Sequence, residues 1–238
     1  MTDKELFLDV IYEDNHIIAI NKPAGWLVQG DSTGDEPITE AVKAYIKKKY
    51  DKPGDVYLGS PHRLDRPVSG VLLFTRTSKA LERMTEMFRD RQVVKKYVAI
   101  VEKRPKELSG ELVHYLVKDH AKNITTAYSS QRYKDAKLSS LKYRLIGSLG
   151  NQHALEVLPD TGRSHQIRTQ LSKMGCSIRG DVKYGAKLSD HDGRIYLHAF
   201  SLEFIHPVQK EPIKIMCFPP EDQIWNLFQS AIADEMLH

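Results

Sequence analysis

Apolar residues recur along this chain with two periods. Alternation at every second position, the signature of a strand, predicts strands over Leu6–Tyr12 and His16–Asn21, around a polar turn at Glu13-Asp14-Asn15. Lys22-Pro23-Ala24-Gly25 ends the second of them, because proline cannot donate to a ladder and glycine permits a turn. Further strands are predicted over Gly70–Thr75, Val94–Glu102, Glu111–Val117, Thr125–Ser130, Leu138–Ile146, Ala154–Leu158, Ile195–Phe204 and Pro212–Phe218. Helical spacing of three and four appears in four places. Over Pro37–Tyr50 it places Ala41, Val42, Tyr45 and Ile46 on one face. From a cap at Thr77 or Ser78 to about Asp90 it makes a stripe of Leu81, Met84, Met87 and Phe88. Over Arg163–Met174 it aligns Ile167, Leu171 and Met174, with Gly175 as the stop. Over Glu221–Leu237 it aligns Ile224, Leu227, Phe228 and Ile232. Strands are many and sequential, and parallel βα alternation is absent. The expected fold is α+β: a long, mostly antiparallel mixed sheet with a few flanking helices, in a single domain over residues 1–238.

Composition narrows the class. Hydrophobic residues make up 41% and charged residues 28%, which excludes a disordered, collagenous or coiled-coil chain. No apolar run approaches the roughly 18 residues of a membrane span, and the acidic-polar start Met1-Thr2-Asp3-Lys4-Glu5 is not a secretory signal. Cys176 and Cys217 stand too far apart for a Cys-x-x-Cys zinc site and read as buried thiols in a reducing compartment. The cytoplasm is the expected location. The net charge of +4 is unevenly spread: residues 1–40 hold 9 acidic and 2 basic residues, and the rest carries a net +11. A basic body of this kind suits a polyanion, although a solvated mixed-charge surface would give the same count. The ten histidines include no triple with ligand spacing, so no metal site is expected.

Three segments concentrate candidate chemistry. In Pro61-His62-Arg63-Leu64-Asp65-Arg66-Pro67-Val68-Ser69-Gly70, flanking arginines would keep Asp65 ionised, as a nucleophile or base requires; a loop aspartate in a surface salt bridge is the plainer alternative. In Lys95-Lys96-Tyr97, two cations beside a strand tyrosine suit a phosphate-facing edge with an aromatic platform. In Thr161-Gly162-Arg163-Ser164-His165-Gln166-Ile167-Arg168, His165 and Arg168 stand three apart and would share a helix face. That face is either a solvated basic surface or an arginine aimed at a carboxylate or phosphate.

Taken in order, these segments resemble the RluA family of RNA pseudouridine synthases. The resemblance rests on Ala19-Ile20-Asn21-Lys22-Pro23-Ala24-Gly25, His62-Arg63-Leu64-Asp65-Arg66 with Ser69-Gly70, Lys96-Tyr97 and Gly162-Arg163-Ser164-His165-Gln166-Ile167-Arg168. It extends through Gly180-Asp181-x-x-Tyr184-Gly185 and Leu197-His198-Ala199, and so covers about residues 6–220. Val68 and Ser164 stand where the family commonly has threonine. Many relatives carry an N-terminal S4-type RNA-binding module; with the first strand expected near Leu6, none is expected here.

The resemblance implies a pseudouridine synthase fold and an isomerase. Such an enzyme breaks the bond from uracil N1 to ribose C1′, turns the base and joins C5 to C1′. It implies that Asp65 is the catalytic carboxylate, that Tyr97 stacks on the target base and takes part in proton removal at C5, and that Arg168 pairs with the catalytic aspartate. Arg63 matches a position that enters the RNA as the uridine flips out, which is required because C1′ and C5 are unreachable within a stack. His62, Arg66, Lys96, Arg163 and His165 are implied RNA contacts, and Leu197 an apolar floor for the uracil. The implied partner is RNA, ribosomal or transfer, and the expected state is a monomer. No cofactor is implied, since no electron leaves the substrate. Two other classes compete. A non-catalytic RNA-binding protein would not need Asp65, Tyr97 and Arg168 together. A glycoside hydrolase would need a second carboxylate, and the nearest acids in sequence, Asp55 and Glu82, are poorly spaced for it.

Overall fold

The computed structural model describes residues 8–30, 34–187 and 193–236. Leu6 and Phe7 of the first predicted strand and Leu237 of the last predicted helix lie outside them. The chain divides into two compact units, residues 1–93 with 201–217 and residues 94–200 with 218–238. Among the described residues no helix is long and apolar enough to cross a membrane.

The first unit opens with β1 (Val10–Glu13) and β2 (Ile17–Lys22), an antiparallel hairpin. Asp14 makes its turn: one carboxylate oxygen accepts the backbone N–H of His16 and of Ile17, at 2.7 and 2.8 Å. β3 (Ser69–Thr75) pairs antiparallel with β2 and is buried at all seven positions, as its unbroken apolar run requires. Helix α1 (Ile38–Lys49) buries Ile38, Val42 and Ile46. It is tied to the hairpin through Glu13, which accepts from Tyr45, Lys49 and Tyr50 at 3.0, 2.7 and 2.8 Å. Thr77 caps α2 (Ser78–Arg89), its hydroxyl accepting the Ala80 N–H. Met84 of α2 enters a core with Ile17, Ala19, Val71 and Leu73. Burying a side chain of that size contributes about 1.5–3 kcal/mol.

In the second unit β4 (Val94–Val101), β5 (Ser109–Asp119), β6 (Ile124–Tyr128), β7 (Lys137–Leu149) and β8 (Gln152–Pro159) are joined antiparallel in the order β4-β8-β7-β5-β6. Helix α3 (Gln166–Lys173) packs on β5 and β6. It ends, as expected, at Gly175, whose φ of +84° is open to glycine at no steric cost. A one-turn 3-10 helix follows at Val182–Tyr184. β9 (Leu197–Ile205) supplies its first four residues to this unit and the rest to the first unit, where it pairs antiparallel with β10 (Pro212–Met216). With its strands paired antiparallel in each unit, the chain has the expected α+β class.

Two helix expectations need correction. The helix predicted over Arg163–Met174 begins only at Gln166, because His165 has left-handed backbone with φ +53°. The loop before it is held by the Gln166 side-chain oxygen, which accepts from the Thr161 hydroxyl at 2.6 Å and from the Arg163 N–H at 3.0 Å. His165 and Arg168 therefore do not share a helix face. The helix predicted over Glu221–Leu237 is two helices, α4 (Gln223–Asn226), capped by Asp222, and α5 (Gln229–Met236). The buried residues are Trp225, Phe228, Ile232 and Met236, whereas Leu227 is 48% exposed. Phe228 and Ile232 keep their predicted place, while Trp225 takes the inward position expected of Ile224. Cys176 and Cys217 are buried thiols not joined in a disulfide, and burial pushes the pKa of both up.

Candidate active site

Asp65 sits in a turn closed by a bond from the Val68 N–H to its own carbonyl, 3.0 Å. Leu64 and Val68 on either side are buried and anchor the turn, while Asp65 itself is partly exposed. His62 fixes the approach. Its Nε2 accepts the Leu73 N–H at 2.9 Å, and its ring stacks on Phe88 at 4.7 Å.

A second loop, Pro23–Trp26, is stitched to the turn. The Gly25 N–H donates to the Arg66 carbonyl at 2.7 Å, and Arg66 Nε donates back to the Gly25 carbonyl at 3.0 Å. Lys22 holds both from below. Its side chain is 0% exposed, and Nζ donates to the carbonyls of Pro23, Trp26 and Arg66 at 2.9, 2.9 and 3.2 Å. Burial pulls its pKa down to about 7, against the charge of Asp65, which raises it, while Arg66 lowers it further. Three acceptors match the three N–H bonds of an ammonium, so only the charged form fills them all. Lys22 belongs to a quoted motif yet drew no role from the sequence. The available signal is a lysine on the same face as Ile18 and Ile20 at the end of a strand whose apolar run leaves neither face to solvent.

Two exposed arginines flank Asp65: Arg63, whose Nη1 donates to Gln29 Oε1 at 3.1 Å, and Arg66, paired with Asp35 at 2.8 Å.

In the second unit Tyr97 lies on β4 opposite Val157 of β8. Lys96 is 4.0 Å from Glu156, and Lys95 donates to the Thr161 carbonyl at 3.2 Å. Leu197, at the start of β9, is buried, and Arg163 is exposed. Arg168 is 5% exposed and gripped by Asp181, with Nε to Oδ2 at 2.7 Å and Nη2 to Oδ1 at 2.8 Å. Its guanidinium lies 5.0 Å from the centre of the Tyr184 ring. The Tyr184 hydroxyl accepts the Thr125 N–H at 2.8 Å and meets His165 Nδ1 at 2.7 Å. His165 is thus a buried packing partner of Tyr184, not part of a solvated basic face. Burial raises the Tyr184 pKa, against the Thr125 N–H and the Arg168 charge. Asp181 and Tyr184 draw no role from the sequence, because the groups their side chains meet, on Arg168, His165 and Thr125, lie 13 or more residues away.

Each unit thus presents one prepared group: a carboxylate in a clamped turn, and a guanidinium fixed in plane by a buried carboxylate. Residues 16–173 match the sequence pattern of the RNA pseudouridylate synthase family. A ribosomal large subunit pseudouridine synthase D from Xylella fastidiosa is 33% identical over 232 residues, 92% of this chain and 68% of that protein. A tRNA pseudouridine synthase C from Haemophilus influenzae is 33% identical over 225 residues, 87% of this chain and 91% of that protein. Among solved structures, human RNA pseudouridylate synthase domain containing 4 superposes with a TM-score of 0.77 at 26% identity, covering 94% of this chain and 92% of that one. With motifs, fold and relatives in agreement, the chain belongs to the RNA pseudouridylate synthase family, in its RluA branch, and is an RNA isomerase.

Proposed function

We propose that this enzyme converts specific uridines of ribosomal or transfer RNA to pseudouridine, with Asp65 as its catalytic carboxylate. The observation that carries the reading is the clamped turn. Four side chains or loop segments (Lys22, His62, Leu64 and the Gly25–Arg66 exchange) hold the one segment that carries the family's aspartate. The relatives' names, one a ribosomal and one a tRNA enzyme, support both substrate classes.

In the proposed reaction the N1–C1′ bond breaks, the uracil turns, and C5 attacks C1′. The C5 proton leaves and N1 gains one, so the formula of the RNA is unchanged. Asp65 acts either as a nucleophile that holds C1′ covalently or as a base that removes the C2′ proton to give a glycal. Tyr97 stacks on the base and assists loss of the C5 proton. Arg168 orients the aspartate and favours its charged form. Leu197 floors the uracil. Arg63, Arg66, Lys96 and Arg163 contact RNA, Arg63 while the uridine is flipped. His62 and His165, being engaged inside the protein, serve the RNA indirectly by shaping the Asp65 and Arg163 loops. Single-domain action over residues 1–238, as a cytoplasmic monomer without metal or cofactor, completes the proposal. The test is to incubate the purified protein with ribosomal and transfer RNA lacking pseudouridine and map the products by carbodiimide-dependent reverse-transcription stops. New stops at defined uridines in one class are expected. No stop in either class would overturn the reading.

A further inference from the structure

We propose that Asp181 and Tyr184 are positioning residues that set the plane of the Arg168 guanidinium for the isomerisation; the inference rests on the role given to Arg168 above.

A guanidinium offers a side-on edge, Nε with one Nη, and an end-on edge, the two Nη together. Asp181 takes the side-on edge with both carboxylate oxygens. Two parallel bonds fix the fork in its own plane. The Tyr184 ring lies against the same group and limits tilt out of that plane.

The supports are themselves pinned. Asp181 is 1% exposed; its N–H donates to the Ile178 carbonyl, and its own carbonyl accepts from Tyr184 and Ala186. Tyr184 is held at both ends. Its hydroxyl lies between the Thr125 N–H and His165 Nδ1, and its carbonyl accepts from the hydroxyls of Ser172 and Ser177 at 2.6 and 2.9 Å. Because the Thr125 N–H already points at the phenol oxygen, the phenol proton is available to His165. This chain of contacts runs from β6 through Tyr184 and His165 to the start of α3, which carries Arg168 three residues further on.

Stability alone does not account for the pair. Two charges buried together gain little over apolar side chains of the same volume, so an apolar pair would hold α3 to the Asp181 turn as well. What an apolar pair cannot do is present a guanidinium at a fixed angle. A misplacement of about 1 Å in a positioned group can cost on the order of 100-fold in rate.

The experiment compares wild type with Asp181→Asn, Tyr184→Phe, Arg168→Lys and Arg168→Lys/Asp181→Asn. Single-turnover tritium release from RNA carrying 5-³H-uridine gives the rate, filter binding gives the RNA Kd, and circular dichroism gives the folded fraction. Asp181→Asn is expected to lose on the order of 100-fold in rate per folded molecule. Tyr184→Phe, which removes only the hydroxyl, is expected to lose about tenfold. RNA Kd should change less than about threefold in each, and the double variant should be no slower than the slower single, because both act through one group. Wild-type rates for Asp181→Asn and Tyr184→Phe, beside a slow Arg168→Lys, would overturn the positioning role and leave the Arg168 reading standing. A wild-type rate for Arg168→Lys would overturn both. Losses that multiply in the double variant would show that Asp181 does not act through Arg168. If Asp181→Asn does not fold, Tyr184→Phe decides: a wild-type rate overturns the proposal.

Discussion

Lys22 lets the cost of the loop clamp be worked out. The perturbation is Lys22→Met, which keeps the length and removes the charge and all three donors. Burial lowers the folded pKa from 10.5 to about 7, whereas the unfolded chain keeps an ordinary lysine. Between those two values the unfolded state therefore binds more protons than the folded one, and the contribution of Lys22 to stability rises with pH. Below pH 7 both states are charged and the full burial cost is present. Above 10.5 both are neutral and it is gone. Against Lys22→Met, which has no proton to lose at this site, wild type should gain about 2 kcal/mol between pH 7 and pH 9, from roughly 1.4 kcal/mol per pH unit of differential protonation, less the part of the titration already complete at pH 7. Loss of the donors works the other way at both pH values. The Arg66 carbonyl keeps the Gly25 N–H, but those of Pro23 and Trp26 lose the Lys22 donor, at about 1–3 kcal/mol each. Urea unfolding of both proteins at pH 7 and pH 9, with equal m-values as the control for two-state behaviour, measures the difference. A stability difference that does not change with pH would refute the argument. It would mean that three carbonyls and Asp65 hold the ammonium as firmly as water does.

Other consequences are simpler to read. Gly180→Ala should lower stability by about 1–3 kcal/mol in a thermal melt, since φ is +83° and an added Cβ would lie 2.7 Å from the Arg194 carbonyl oxygen. RNA binding should weaken with salt, with a slope of log K against log salt of roughly −2 to −4 for three to six phosphates neutralised on a single strand; a flat dependence would mark the basic body as a solvated surface only. Arg63→Ala should bind structured RNA less productively and recover much of the loss on a substrate whose target uridine is already unstacked. Equal impairment on both substrates would remove Arg63 from the flipping step.

Much of this architecture was legible because local pattern and tertiary burial agree. β3 reads as a strand from its apolar run and is buried on both faces, and the Thr77 cap is where the helical period begins. The errors come where tertiary contacts override a local preference. Arg163-Ser164-His165 is compatible with helix, yet Gln166 bonds back to Thr161 and Arg163, Thr125 donates to the Ser164 carbonyl, and Tyr184 takes the His165 ring. The last helix is interrupted near Leu227, and its buried face runs through Trp225, Phe228 and Ile232 rather than through Ile224 and Leu227. The candidate site divides in the same way. Asp65, Tyr97 and Arg168 could be named from short motifs. The groups that hold them, Lys22 and Asp181, could not be given a role, because a buried lysine's acceptors and an arginine's carboxylate partner are set by chain segments distant in sequence. His62 and His165, both implied RNA contacts, each also hold a bond within the protein, to the Leu73 N–H and the Tyr184 hydroxyl, that local sequence does not foretell.

The central claim is that Asp65 carries the isomerisation, and Asp65→Asn tests it most directly. The change is isosteric and leaves the backbone turn and the Lys22 clamp in place. Wild type and variant are incubated with 5-³H-uridine RNA that the wild type modifies, and tritium release is followed alongside RNA binding and the thermal midpoint. The account predicts no turnover by the variant, with fold and RNA affinity nearly unchanged. Substantial tritium release by Asp65→Asn would contradict it.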